Sequence, residues 1–161
     1  MNGSRLLLLL AGLLVLGAVN FSIFGKEEIK REGEVVFLDL APRDPRSLMQ
    51  GDYMALRFRL AQEIGASIRP DQRPRDGEMR LAPVTLDGKR IASLAKPGAA
   101  PTLAIRYRYR HGDVWLGTNA FFFEEGSEER FSRARYGEFR VDRGTGEAVL
   151  VGLRDEGMKP L

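Results

Sequence analysis

The chain has 161 residues, 43% of them hydrophobic, with 25 Lys and Arg against 22 Asp and Glu for a net charge of +3. With no cysteine and a single histidine, His111, it excludes disulfides, thiol nucleophiles, cysteine-ligated zinc or iron–sulfur sites and any histidine-rich metal centre. The basic excess is local: residues 25–56 hold 5 bases and 7 acids, 57–110 hold 12 and 5, and 111–161 hold 7 and 10. Basic and acidic segments paired in one sheet neutralise each other, so no nucleic-acid partner is expected.

The first predicted element is the run Leu6–Phe24, 19 residues without a charge. As a helix it is roughly 28 Å long, enough for the hydrocarbon core of a bilayer. A cleaved signal peptide is the rival reading, but its apolar region is shorter and ends in a small-x-small site. Here Leu16-Gly17-Ala18 puts a large residue at the first of those positions. Residues 1–24 are therefore read as an uncleaved signal-anchor that meets membrane lipid through residues 6–24. Arg5 and the amino terminus favour a cytoplasmic start, while Lys26, Lys30 and Arg31 on the other flank are interleaved with glutamates. The expected location is the bacterial cytoplasmic (inner) membrane, single-pass, with the C-terminal domain extracytoplasmic, in the periplasm.

Residues 25–33 read as a charged helical juxtamembrane segment ended by Gly33, and 34–161 as the exported domain. Glu34–Leu40 is apolar on both alternating faces, as in a central strand. Met54–Leu60 alternates, with Met54, Leu56, Phe58 and Leu60 opposite Arg57 and Arg59. Gly65–Gly77, rich in Pro and Asp, predicts an exposed loop. Leu81–Leu86 and Lys89–Ala95 predict a hairpin about a two-residue Asp87-Gly88 turn.

Thr102–Arg110 alternates again, with Leu103, Ile105, Tyr107 and Tyr109 opposite Arg106, Arg108 and Arg110. His111-Gly112-Asp113 turns into a strand over Val114–Phe123, followed by a loop with a short helix over Glu124–Arg135. Gly137–Asp142 and Glu147–Arg154 form a last hairpin. Short strands at this spacing predict a mainly β fold, an antiparallel β-sandwich or partly open barrel, behind one transmembrane helix.

The densest local pattern is Ala41–Tyr53. Asp44 suits a helix cap, Pro45 the first helical position and Gly51 a left-handed helix end. Gly51-Asp52-Tyr53-Met54-Ala55-Leu56-Arg57-Phe58 resembles the motif that names the GDYXXLXY protein family, with Phe58 where the motif ends in tyrosine. Asp44-Pro45-Arg46-Ser47-Leu48, Arg135–Val141 and Leu150–Asp155 are similar to that family as well, so the likeness runs from about Asn20 to Leu161. The resemblance implies a small anchored protein of unassigned activity, partnered with a multi-span membrane protein. It supplies no catalytic residues. Asp44, Pro45, Arg46, Gly51, Asp52, Tyr53, Leu56 and Phe58 are accordingly motif residues with a structural or interaction role.

A looser likeness to the serine-nucleophile region of signal peptidases fails on the residues, because Arg43 stands near the nucleophile position and Ser47 lies too close to Gly51. Three functions follow. The first is a non-catalytic accessory or interaction subunit of a polytopic membrane protein, with no cofactor and no metal. The second is a membrane-bound envelope hydrolase using Asp44, Asp52 and Tyr53. The third is an anionic lipid- or glycan-binding domain using Arg57, Arg59, Arg106, Arg108 and Arg110, which form one basic face if their strands are neighbours. On the bland alternative those arginines pair with Glu138, Asp142 and Glu147. Alternation through Phe121-Phe122-Phe123 leaves at least one ring off the core face.

Overall fold

The computed structural model describes residues 3–41 and 53–161. Behind a long helix, α1 (Gly3–Glu32), the chain is mainly β. Its strands are β1 (Glu34–Asp39), β2 (Tyr53–Ala55), β3 (Met79–Leu86), β4 (Ala92–Leu94), β5 (Leu103–Arg110), β6 (Asp113–Trp115), β7 (Ala120–Phe122), β8 (Tyr136–Val141) and β9 (Ala148–Arg154). Two further helices are α2 (Arg59–Ser67) and α3 (Glu128–Phe131).

α1 is long and apolar enough to cross a membrane, and its side chains from Leu7 to Phe24 are covered by nothing among the described residues. Its last turns are charged, and Gly33 alone separates it from β1. The Gly33 amide donates to Ile29 O at 2.8 Å, and the Arg140 guanidinium on β8 donates to Gly33 O at 3.3 Å. The first bond closes the last turn of the helix, and the second joins its end to the β-domain.

Two antiparallel sheets, β1-β8-β9 and β4-β3-β5-β6, form the domain, one of them a curled half-barrel, and a short ribbon pairs β2 with β7. The sheets meet at both edges. On one side Phe37 bridges Ile91, with the Phe37 amide donating to Arg90 O at 2.9 Å. On the other, the Arg106 amide of β5 donates to Gly146 O in the β8–β9 turn at 2.7 Å. Gly146 has φ 71°, and a Cβ there would lie 2.6 Å from Leu81 Cδ2 and 3.0 Å from Ala104 O. Only glycine fits that approach without displacement.

Inside, Val36, Leu38, Val84, Ile105, Phe139 and Val141 are buried from the two sheets. α2 adds Leu60 and Ile64, one helical turn apart, and packs across β6, β4 and β1.

Several expectations need correction. Met54, Leu56, Phe58 and Leu60 are all buried, as the alternation requires, but β2 ends at Ala55, Phe58 keeps one bridge to Leu40, and a helix starts at Arg59. The two readings share Leu60, and burial of Ile64 four residues on decides for the helix. The predicted loop accordingly begins after Ser67. The strand over Val114–Phe123 is split into β6 and β7, because Gly117, with φ 66°, turns the chain between them. The Asp87-Gly88 reversal is wider than two residues: Asp87 Oδ1 accepts from the amides of Lys89 (2.9 Å) and Ile91 (2.8 Å). The left-handed residue there is Arg90, φ 64°, rather than Gly88.

Candidate functional site: a basic depression beside α1

β5 shows the clean alternation that its sequence predicts. Leu103, Ile105, Tyr107 and Tyr109 point into the core, while Arg106, Arg108 and Arg110 point out. The outward side chains border a shallow depression of about 360 Å³, shared with Lys26 of α1, Trp115 of β6 and Glu147 at the end of the β8–β9 turn. Glu147 pairs with both Lys26 and Arg106. The turn carrying it is held by Asp142, whose Oδ1 accepts from the Thr145 hydroxyl (2.7 Å) and the Thr145 amide (2.6 Å). Those bonds, the hydroxyl's first, draw the Asp142 carboxyl below its ordinary pKa.

The other two arginines are differently placed. Arg108 Nη2 lies 3.6 Å from Met79 Sδ, and the Arg110 guanidinium sits 5.3 Å above the Trp115 ring. Among the described residues neither has a carboxylate within ion-pair distance, although Asp113 is the strand partner of Arg110. In register, Met79, Arg108 and Trp115 form one row across β3, β5 and β6. Leu81 stands opposite Arg106 in the same way. Met79 and Leu81 are 54% and 55% exposed, so apolar side chains flank the cations on this outer face.

Arg57 and Arg59 do not join that face. β2 pairs with β7 rather than β5, and Arg59 opens α2, where it pairs with Asp39 at 3.0 Å. Arg57 lines a separate cavity of about 550 Å³ between α2 and β6. Trp115, Thr118 and Asn119 border both cavities, so Arg57 lies across Trp115 from the β5 arginines. Of the expected acidic partners, Glu147 pairs with Arg106, whereas Glu138 pairs with Arg154 at 2.5 Å and Asp142 serves its own turn.

Asp44, Pro45, Arg46, Gly51 and Asp52 lie outside the described residues. Of the remaining motif positions, Leu56 and Phe58 are buried, and Phe58 meets Phe139 edge-on with ring centroids 5.3 Å apart. Tyr53 is at the surface, 37% exposed, against Phe122 on the neighbouring strand at 5.8 Å. An aromatic at a strand start is expected in the core; here the β2–β7 ribbon turns that face outward. Phe122 is 75% exposed, while Phe121 and Phe123 both pack on Phe131 of α3. His111, at φ 49° in the β5–β6 turn, donates its amide to Asp76 Oδ1 at 2.7 Å.

Sequence reading finds the β5 arginines through their period and Glu147 among their acidic partners, and misses Lys26 and Trp115 as their neighbours. The available signals were indirect: Lys26 is the first charge after the apolar run, and Trp115 is the chain's single tryptophan. A family model described as GDYXXLXY protein matches residues 15–153. No curated protein and no solved structure matches the chain.

Proposed function

We propose that this chain, which belongs to the GDYXXLXY protein family, is a non-catalytic interaction subunit that α1 holds in the bacterial cytoplasmic membrane. Its β-domain is extracytoplasmic, and its partner is a multi-span membrane protein. The observation that carries this reading is the exposure of Tyr53. Leu56 and Phe58 of the same motif fill the core, and packing accounts for them. Packing does not account for an aromatic pair, Tyr53 and Phe122, left on the surface where large rings gain most by meeting another protein. The one-residue connection at Gly33 adds support, because a domain joined this closely to its anchor presents that pair in a fixed direction.

The test is extraction of the tagged full-length chain in mild detergents, with partners identified from the eluate. A multi-span protein co-purifies with the natural chain and is reduced more than tenfold with Tyr53→Ala/Phe122→Ala, as loss of two aromatic anchors implies. Recovery of the chain alone from several detergents, or undiminished recovery of the partner with the double variant, overturns the proposal.

A further inference from the structure

The outer face of β5 carries a second inference, independent of any protein partner. We propose that the depression formed by Lys26, Arg106, Arg108, Arg110 and Trp115 binds the phosphate of an anionic lipid headgroup in the bilayer that holds α1.

Four basic side chains and one carboxylate line the depression, and that carboxylate, Glu147, is shared by Lys26 and Arg106. Among the described residues Arg108 and Arg110 therefore keep their donors available: one guanidinium touches a thioether sulfur and the other lies over an indole face. Alternate residues on a strand stand about 7 Å apart. Two guanidinium forks at that spacing suit the oxygens of one phosphate group, which arginine recognises in bidentate fashion.

Position fixes the source of the phosphate. Lys26 follows Phe24, the last residue of the apolar run, by two positions, roughly 3 Å along a helix. That is the level at which hydrocarbon gives way to headgroups. The Lys26–Glu147 pair ties the β8–β9 turn to this level, and the Arg106–Glu147 pair with the Arg106 amide bond to Gly146 ties β5 to the turn.

The neighbouring side chains agree. Met79 and Leu81 on β3 are exposed beside Arg108 and Arg106, and half-buried Trp115 lies under Arg110. Cations flanked by apolar and indole groups match an interface between lipid and water better than a site for a free anion.

Trp115 is the only tryptophan, so its fluorescence reports this site directly. The full-length chain is reconstituted in phosphatidylcholine vesicles containing equal mole fractions of either brominated phosphatidylglycerol or brominated phosphatidylcholine. Quenching by the anionic lipid is stronger, and Arg108→Gln/Arg110→Gln lowers its relative affinity roughly 30-fold, from two basic residues near an anionic surface. Arg108→Lys/Arg110→Lys, which keeps the charge and loses the forked geometry, falls between the natural chain and the Gln variant and serves as the folding control. Millimolar inorganic phosphate leaves the quenching in place. Equal quenching by the two lipids, or a preference that survives in the Gln variant, overturns the proposal. Full competition by inorganic phosphate also overturns it, assigning the site to a soluble anion. No partner protein enters this measurement, so it fails or succeeds separately from the pull-down.

Discussion

Arginine occupies two regions of this molecule under different conditions. Around the β1-β8-β9 sheet, arginines close on carboxylates. Glu34, its side chain only 12% exposed, accepts a hydrogen bond from Arg90 at 2.6 Å and lies within ion-pair distance of Arg143 at 2.5 Å, and Glu138, 13% exposed, receives Arg154. On β5 the same residue type faces out, and only Arg106 has a carboxylate partner among the described residues. The first set ties strands together: Arg90 also donates to Val35 O at 2.7 Å, joining the β3–β4 reversal to β1. In the second set Arg106 ties β5 to the β8–β9 turn, while Arg108 and Arg110 leave their donors to solvent. A basic strand is therefore uninformative until the acids across from it are located, and those acids come from distant parts of the chain.

The two regions join at Gly146, where the largest effect is expected. Gly146→Ala must hold a left-handed residue and push a methyl against Leu81 and the backbone of Ala104. The combination of backbone strain and overpacking costs about 2–4 kcal/mol. Thermal unfolding of the detergent-solubilised chain should shift down by roughly 10 °C. An unchanged midpoint means that the turn does not lean on β5, and the depression then loses one wall.

The intermediate effect lies at Glu34. Glu34→Ala strips two arginines of one well-buried partner. Both arginines are 45% or more exposed and regain water, which limits the cost to about 1–2 kcal/mol. Denaturant titration measures it. A cost near zero makes the clamp an ordinary surface pair and erases the distinction between the two regions.

The sequence carried much of the fold and less of the site, and particular residues explain why. β5 is visible because one face meets the core, so burial writes itself as a period of two, whereas β1 shows as a short apolar run. α2 is invisible because its N-cap is Phe58, without a side-chain cap bond, and because its first buried residue, Leu60, also continues a strand pattern. The fall of β6 into β7 turns on a single left-handed glycine, Gly117. Within the site, the arginines of β5 follow from alternation alone. Their neighbourhood does not: Lys26 and Glu147 stand at opposite ends of the chain and share a contact that no local pattern encodes. For the same reason the alternation of Arg57 and Arg59 suggests a face shared with β5, whereas strand pairing sends β2 to β7.

The smallest expected effect is the most direct measure of the difference between the two arginine sets. Arg108→Gln removes an exposed side chain with no carboxylate partner among the described residues, and relieves repulsion from Arg106 and Arg110 on the same face. Its stability should stay within about 0.5 kcal/mol of the natural chain. Arg110→Gln adds the loss of contact with Trp115, about 0.5–1 kcal/mol for an exposed cation over a ring. Arg90→Gln, the same chemical change in the other set, breaks bonds to Val35 O and Glu34 and should cost about 1–2 kcal/mol. The three variants are compared by unfolding midpoint under one set of conditions. If Arg108→Gln falls as far as Arg90→Gln, the β5 arginines hold the sheet together, and their outward donors are not free to meet a phosphate.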